Sequence, residues 1–210
     1  MTTSPGTYVV ALLMFDDMDL LDFGGPYEVL LTANRLAERD GRQQPFDVHT
    51  VSLDGEAVTA YGGVGLLPHA GADQALDAHV VVVPGAIAID RVCGDDQVIA
   101  FVDQLTSTAR IVTSVCTGAF LLAKIGKLAG RPWTTHWEDV PELARRLDQH
   151  DAADATESSP STRLVDDGDV ITAGGLSCGL DLGLILTGNR SLSAEMKTIV
   201  LVNVDAVSYY

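Results

Sequence analysis

The sequence predicts an α/β fold, a mostly parallel sheet with helices on both faces, and three observations carry that prediction. Short runs of uninterrupted apolar, β-branched residues recur along the chain, the pattern of strands buried on both faces. Segments with apolar residues at helical spacing separate them, so strand and helix alternate. At Ile111–Gly118 one such run stops at Cys116 and passes through Gly118 into Ala119-Phe-Leu-Leu-Ala-Lys. That is a strand entering a helix across a turn of small residues.

Tyr8–Phe15 is the first apolar run. Pro26 is expected to open a helix to about Glu38, since proline suits a first-turn position. Phe46–Leu53 reads as a strand closed by the Asp54-Gly55 turn, and Gly-rich Val58–Leu67 as a short hairpin. Val80–Val83 is a third core strand, ended by Pro84-Gly85. Asp95–Thr106 is an amphipathic helix with Val98, Phe101, Val102 and Leu105 inward. Arg110–Val115 feeds Cys116, and Ala119–Ile125 is the helix beyond it. Glu138–Gln149 reads as helix and acidic Asp151–Ser161 as loop. Arg163–Val165 and Val170–Ala173 pair around the Asp167-Gly168 turn. Cys178–Leu186 and Ala194–Val207 are apolar and helical, with a strand as the alternative for the second. No repeat or second-domain boundary interrupts residues 1–210, which read as one domain.

Composition narrows the function. The net charge is −16, from 13 Lys+Arg against 29 Asp+Glu, which argues against binding nucleic acid, where phosphates must be neutralised. No run approaches the ~18 apolar residues of a membrane span, so no membrane partner is expected. Met1-Thr-Thr-Ser-Pro-Gly has no basic leader region, and a cytoplasmic protein is expected. Cys93, Cys116 and Cys178 are too few and too oddly spaced for a disulfide framework or a zinc site.

Function in an open parallel sheet collects at the carboxyl ends of its strands. Cys116 occupies the position of a nucleophile elbow, and its place at a helix N-terminus is expected to lower its pKa and favour the thiolate. The plainer alternative is a buried small hydrophobe. Asp22, between apolar residues, reads as a helix-start carboxylate. Held near Cys116 it would instead have a raised pKa and exchange protons with the sulfur. The N–H groups of Gly85, Ala86 and Thr117 could form an anion hole, or Gly85-Ala86 could be a simple strand-ending turn. The Thr117 hydroxyl suits a substrate contact or a helix cap. His136, between two tryptophans, is either an acid–base residue or packed core.

These residues together resemble the ThiJ/PfpI superfamily, the cysteine branch of the class I glutamine-amidotransferase-like fold. The matching segments are Leu21-Asp-Phe-Gly-Gly-Pro-Tyr-Glu-Val29, Val83-Pro-Gly-Ala86, Val112-Thr-Ser-Val-Cys-Thr-Gly118, Thr134-Thr-His-Trp137 and Ile171-Thr-Ala-Gly-Gly-Leu-Ser-Cys-Gly-Leu-Asp181. The resemblance implies a flavodoxin-like three-layer sandwich, Cys116 as nucleophile, Asp22 as its acidic partner and Thr117 as a substrate contact. Gly174-Gly175-Leu176 matches a backbone turn beside the nucleophile in the hydratases, and His136 aligns with a histidine near the cysteine in glyoxalase-like relatives, on which the hydratases are not known to depend. Leu-Asp-x-x-Gly-Pro with Thr-Ser-Val-Cys-Thr-Gly looks like isocyanide hydratases, and the same motifs occur in amidase-like domains of AraC-type regulators.

The resemblance therefore implies a hydratase with a small-molecule substrate, no cofactor and a homodimeric state. The apolar Ile199–Val207 run is in keeping with an interface. Glyoxalase or deglycase-like chemistry, and a ligand- or oxidation-sensing domain without turnover, are the alternatives. No basic segment follows the domain in this sequence, so DNA binding is not expected. One departure stands out: the family's Pro-Gly-Gly is Pro84-Gly85-Ala86 here, and an alanine would be strained if position 86 required positive φ. The 151–161 segment is also longer and more acidic than the resemblance implies.

Overall fold

The computed structural model describes residues 7–72, 77–148 and 162–188. Its strands are β1 (Tyr8–Leu13), β2 (Phe46–Ser52), β3 (Val58–Thr59), β4 (Gly65–Leu66), β5 (Ala70–Gly71), β6 (Val80–Val83), β7 (Ile111–Val115), β8 (Leu164–Asp166) and β9 (Val170–Ala173). The helices are α1 (Leu20–Arg39), α2 (Ile89–Cys93), α3 (Asp96–Thr108), α4 (Gly118–Lys124), α5 (Val140–Asp148) and α6 (Cys178–Gly188). Among the described residues one seven-stranded sheet runs in the order β5-β2-β1-β6-β7-β9-β8, and β3 and β4 form a separate hairpin. Every pairing in the large sheet is parallel except β8 with β9.

Chirality explains the layering. From β1 the chain crosses by α1 to β2 on one side; from β6 it crosses by α2 and α3 to β7 on the other. Right-handed crossovers in opposite directions put their helices on opposite faces of the sheet. Accordingly α1 packs with α6, while α2, α3, α4 and α5 pack with one another. The sheet between them is apolar: β6 is buried along its length, and Val10–Leu13 of β1 are fully buried. This is the expected mostly parallel three-layer α/β sandwich. Its strand order reverses direction between β1 and β6, where an open sheet leaves a crevice.

Several boundaries differ from the expectation. Pro26 does not open a helix but lies inside α1, which begins at Leu20. The sequence rule failed because close packing with α6 shapes this stretch: an added Cβ on Gly183 would lie 2.8 Å from the Val29 Cβ, and one on Gly179 3.2 Å from the Pro26 ring. The early start places Asp22 in the first turn of the helix. The short α2 and β5 carry too few residues for a period to show. The Asp151–Ser161 segment and the Ala194–Val207 run, including Ile199–Val207, lie outside the described residues. Among the described residues, no helix is long and apolar enough to cross a membrane.

Candidate active site

Since β1, β6 and β7 are neighbours, the segments leaving their carboxyl ends meet: Asp16–Asp22 after β1, Pro84–Ala86 after β6 and Cys116–Thr117 after β7. The Asp19 N–H donates to the Gly85 carbonyl at 2.8 Å, and Met18 bridges to Ala86. On the other side of β7, the Cys116 N–H donates to both Ala173 O (2.9 Å) and Gly174 O (3.0 Å). Cys116 itself has φ +55°, left-handed backbone that an L side chain rarely adopts. Gly118 makes the sharp turn possible, because a Cβ there would stand 2.4 Å from the Val83 carbonyl oxygen. A strand, a strained cysteine and a glycine opening a helix constitute the elbow.

Asp22 is fully buried. Its Oδ2 accepts the Gly85 N–H at 3.2 Å. The Cys116 thiol and the Leu176 N–H act as donors toward the same carboxyl, while Oδ1 has no completed hydrogen bond among the described residues. Burial, reinforced by the Asp19 carboxylate, outweighs these donors and raises the Asp22 pKa to about 7. Leu176 is a second strained residue, at φ +42°.

The expectation of a lowered Cys116 pKa is overturned. Burial, then the negative charge of Asp22, push the thiol up, and the Thr117 N–H opposes them only in part. The helix that follows has seven residues, too short a dipole to offset loss of solvent around sulfur. At rest the pair therefore holds its last proton on sulfur, with Asp22 as the stronger acid.

The expected anion hole also needs correction. The Gly85 N–H is taken by Asp22, and the Ala86 N–H donates to Thr117 Oγ1 at 2.9 Å. The Thr117 hydroxyl in turn donates to Ala86 O at 2.8 Å. That hydroxyl ties the segment after β6 to the elbow, with its proton engaged and one oxygen lone pair left over. What remains at the sulfur is the Thr117 N–H. Gly85 keeps this space open: a Cβ would lie 2.6 Å from Thr117 Oγ1 and 2.8 Å from both Asp22 Oδ2 and Thr117 N. Ala86 is not among the positive-φ residues, so alanine in place of the family's glycine carries no backbone strain.

Gly174 and Leu176 stand beside the pair, through the Gly174 carbonyl and the Leu176 N–H. His136 does not join them. Its ring packs on Gly175, where a Cβ would meet its Cδ2 at 2.5 Å, and its Nδ1 lies 3.4 Å from Asp139 Oδ2. Among the described residues no hydrogen bond or ion pair links it to Cys116. It lines a cavity of about 400 Å³ with Trp137, Arg163, Leu176 and Cys178. Sequence reasoning missed Thr135, whose hydroxyl donates to the Cys116 carbonyl at 2.9 Å; nothing in its sequence neighbourhood marks that contact. Among the described residues no group of three or more His, Cys, Asp or Glu is placed to hold a metal ion.

The DJ-1/PfpI family model matches residues 9–187. The chain is 32% identical over 178 residues to the isonitrile hydratase of Pseudomonas putida, covering 84% of this chain and 69% of that protein. It is 30% identical over 196 residues to the HTH-type transcriptional regulator GbdR of Pseudomonas aeruginosa, covering 91% of this chain and half of the regulator's length. A ThiJ/PfpI family protein from Pseudomonas syringae has the same fold, with a TM-score of 0.76 at 24% identity over 97% of this chain and 76% of that one. The chain belongs to the DJ-1/PfpI family.

Proposed function

We propose that this member of the DJ-1/PfpI family is a cysteine-dependent isocyanide hydratase, converting an isocyanide and water into an N-substituted formamide. The observation that carries the reading is the buried Asp22 carboxyl set against the Cys116 thiol on a strained elbow, and the similarity to an isonitrile hydratase supports it. Ionised Asp22 takes the thiol proton as sulfur attacks the terminal carbon of R–N≡C, then delivers it to that carbon, leaving Cys116–S–CH=N–R. Water adds across the C=N bond, its oxygen to carbon and one proton to nitrogen. Collapse breaks the C–S bond, releases R–NH–CHO and returns the other water proton to sulfur through Asp22. One isocyanide and one water are consumed for each formamide.

A turnover screen of the purified protein tests the reading. Formamide from p-nitrophenyl isocyanide, with no lactate from methylglyoxal, is the expected result; the reverse would assign glyoxalase-like chemistry. Similarity to GbdR favours a second reading, a ligand- or oxidation-sensing domain, and no turnover of either compound would favour it. We further propose a cytoplasmic homodimer in which exposed Leu20, Leu21, Tyr61 and Ile87, on segments flanking the site, become covered. Light scattering at micromolar concentration should give twice the 22.2 kDa chain mass; the monomer mass would contradict it.

A further inference from the structure

We infer that Thr135 is a positioning residue: by holding the Cys116 carbonyl it fixes the Cys116–Thr117 peptide plane and so aims the Thr117 N–H at the sulfur. The inference rests on the role proposed for Cys116 but not on the identity of the substrate.

A left-handed residue persists only where its surroundings over-determine it. Three anchors of the elbow are visible: the bifurcated Cys116 N–H, the Thr117 hydroxyl on Ala86, and Gly118 against Val83. None of them holds the Cys116 carbonyl, which the left-handed turn swings away from the sheet ladder. Among the described residues it accepts one short hydrogen bond, from Thr135 Oγ1 at 2.9 Å, and one long one, from the Ala119 N–H at 3.4 Å.

The peptide bond is planar and trans, so the carbonyl of residue 116 and the N–H of residue 117 point in opposite directions from one rigid unit. A hydroxyl fixed on the carbonyl therefore sets the direction of the N–H, and it also polarises the amide, strengthening the donor. Thr135 is suited to this work. It is 2% exposed, and its neighbour Thr134 anchors the segment through an N–H to Thr172 Oγ1 at 2.8 Å and a hydroxyl to the Thr162 carbonyl at 3.0 Å. The Thr117 N–H is the donor that favours the thiolate. The charged groups acting on the sulfur are Asp22 and Asp19, both from the segment after β1, and both oppose it.

The test is the rate of Cys116 alkylation by iodoacetamide against pH, resolved by peptide mass, with melting temperature on the same samples. In Thr135→Val the donor is lost but the shape is kept. Alkylation should slow by about fivefold, the effect of one neutral hydrogen bond, and the limb due to thiolate formation should move to higher pH. Thr135→Ser, which retains the hydroxyl, should restore both. A folded Thr135→Val protein with the wild-type rate and profile would overturn the inference, whatever its melting temperature. If that variant does not fold, Thr135→Ala removes the same donor without adding bulk, and the same criteria apply to it. Because alkylation needs no turnover, failure of the hydratase reading would leave this result intact, and the reverse also holds.

Discussion

Cys116→Ala is expected to abolish isocyanide hydration, by about 10⁴-fold or more, while leaving a folded protein. Neither of the other cysteines can substitute. Cys93 lies in α2, on the face of the sheet opposite α1, and Cys178 opens α6, beyond the strained turn at Leu176. Removing one buried sulfur leaves a small void, so a modest fall in stability should accompany the loss. Product formation and thermal melting on one sample separate the two effects. A variant retaining more than about 1% of turnover, far above the rate left when a covalent nucleophile is removed, would exclude Cys116 as the nucleophile.

Asp22→Asn is expected to lower kcat by about 10²–10⁴-fold, the usual share of a general acid–base group, with little change in KM. Asparagine can accept the Gly85 N–H but cannot take the thiol proton and hand it on. In the wild type kcat/KM should rise with pH through about 7 as Asp22 ionises, and that limb should vanish in the variant. Stability should move in a related way. The folded-state pKa of Asp22 lies above its ordinary 3.8, so the contribution is fully present below pH ~4 and is lost as pH rises toward and through 7. The rise to about 7 corresponds to about 4 kcal/mol at most, because Asp22 and Cys116 titrate as a pair. The melting temperature of Asp22→Asn relative to wild type should therefore climb between pH 4 and pH 8. A difference that stays flat or falls would mean that Asp22 is not forced to ionise in a dry site.

Those pH effects rest on burial, and burial is what the sequence could not show. Cys116 is legible as an elbow because Ile111–Val115, Gly118 and the helix after it are local signals, but the direction of its pKa shift is not. The local rule counted the helix and had no means of counting the solvent lost when α1 carries Asp22 against the sulfur. The anion hole failed for a related reason. The Gly85 N–H is claimed by a carboxyl 63 residues away and the Ala86 N–H by a hydroxyl 31 residues away, partners that no strand-ending turn announces. The core strands were legible because parallel strands must be apolar on both faces. The start of α1 was not, since Pro26 sits where packing against α6 decides the backbone and a propensity rule does not.

The most direct test is to titrate activity against modification. Iodoacetamide is added in steps, and the residual rate of isocyanide hydration is plotted against the fraction of Cys116 alkylated, read by peptide mass. The rate should fall in proportion and reach zero at one modified Cys116 per chain, whatever the state of Cys93 and Cys178. Turnover that survives complete modification of Cys116, or that disappears while Cys116 is still free, would contradict the account.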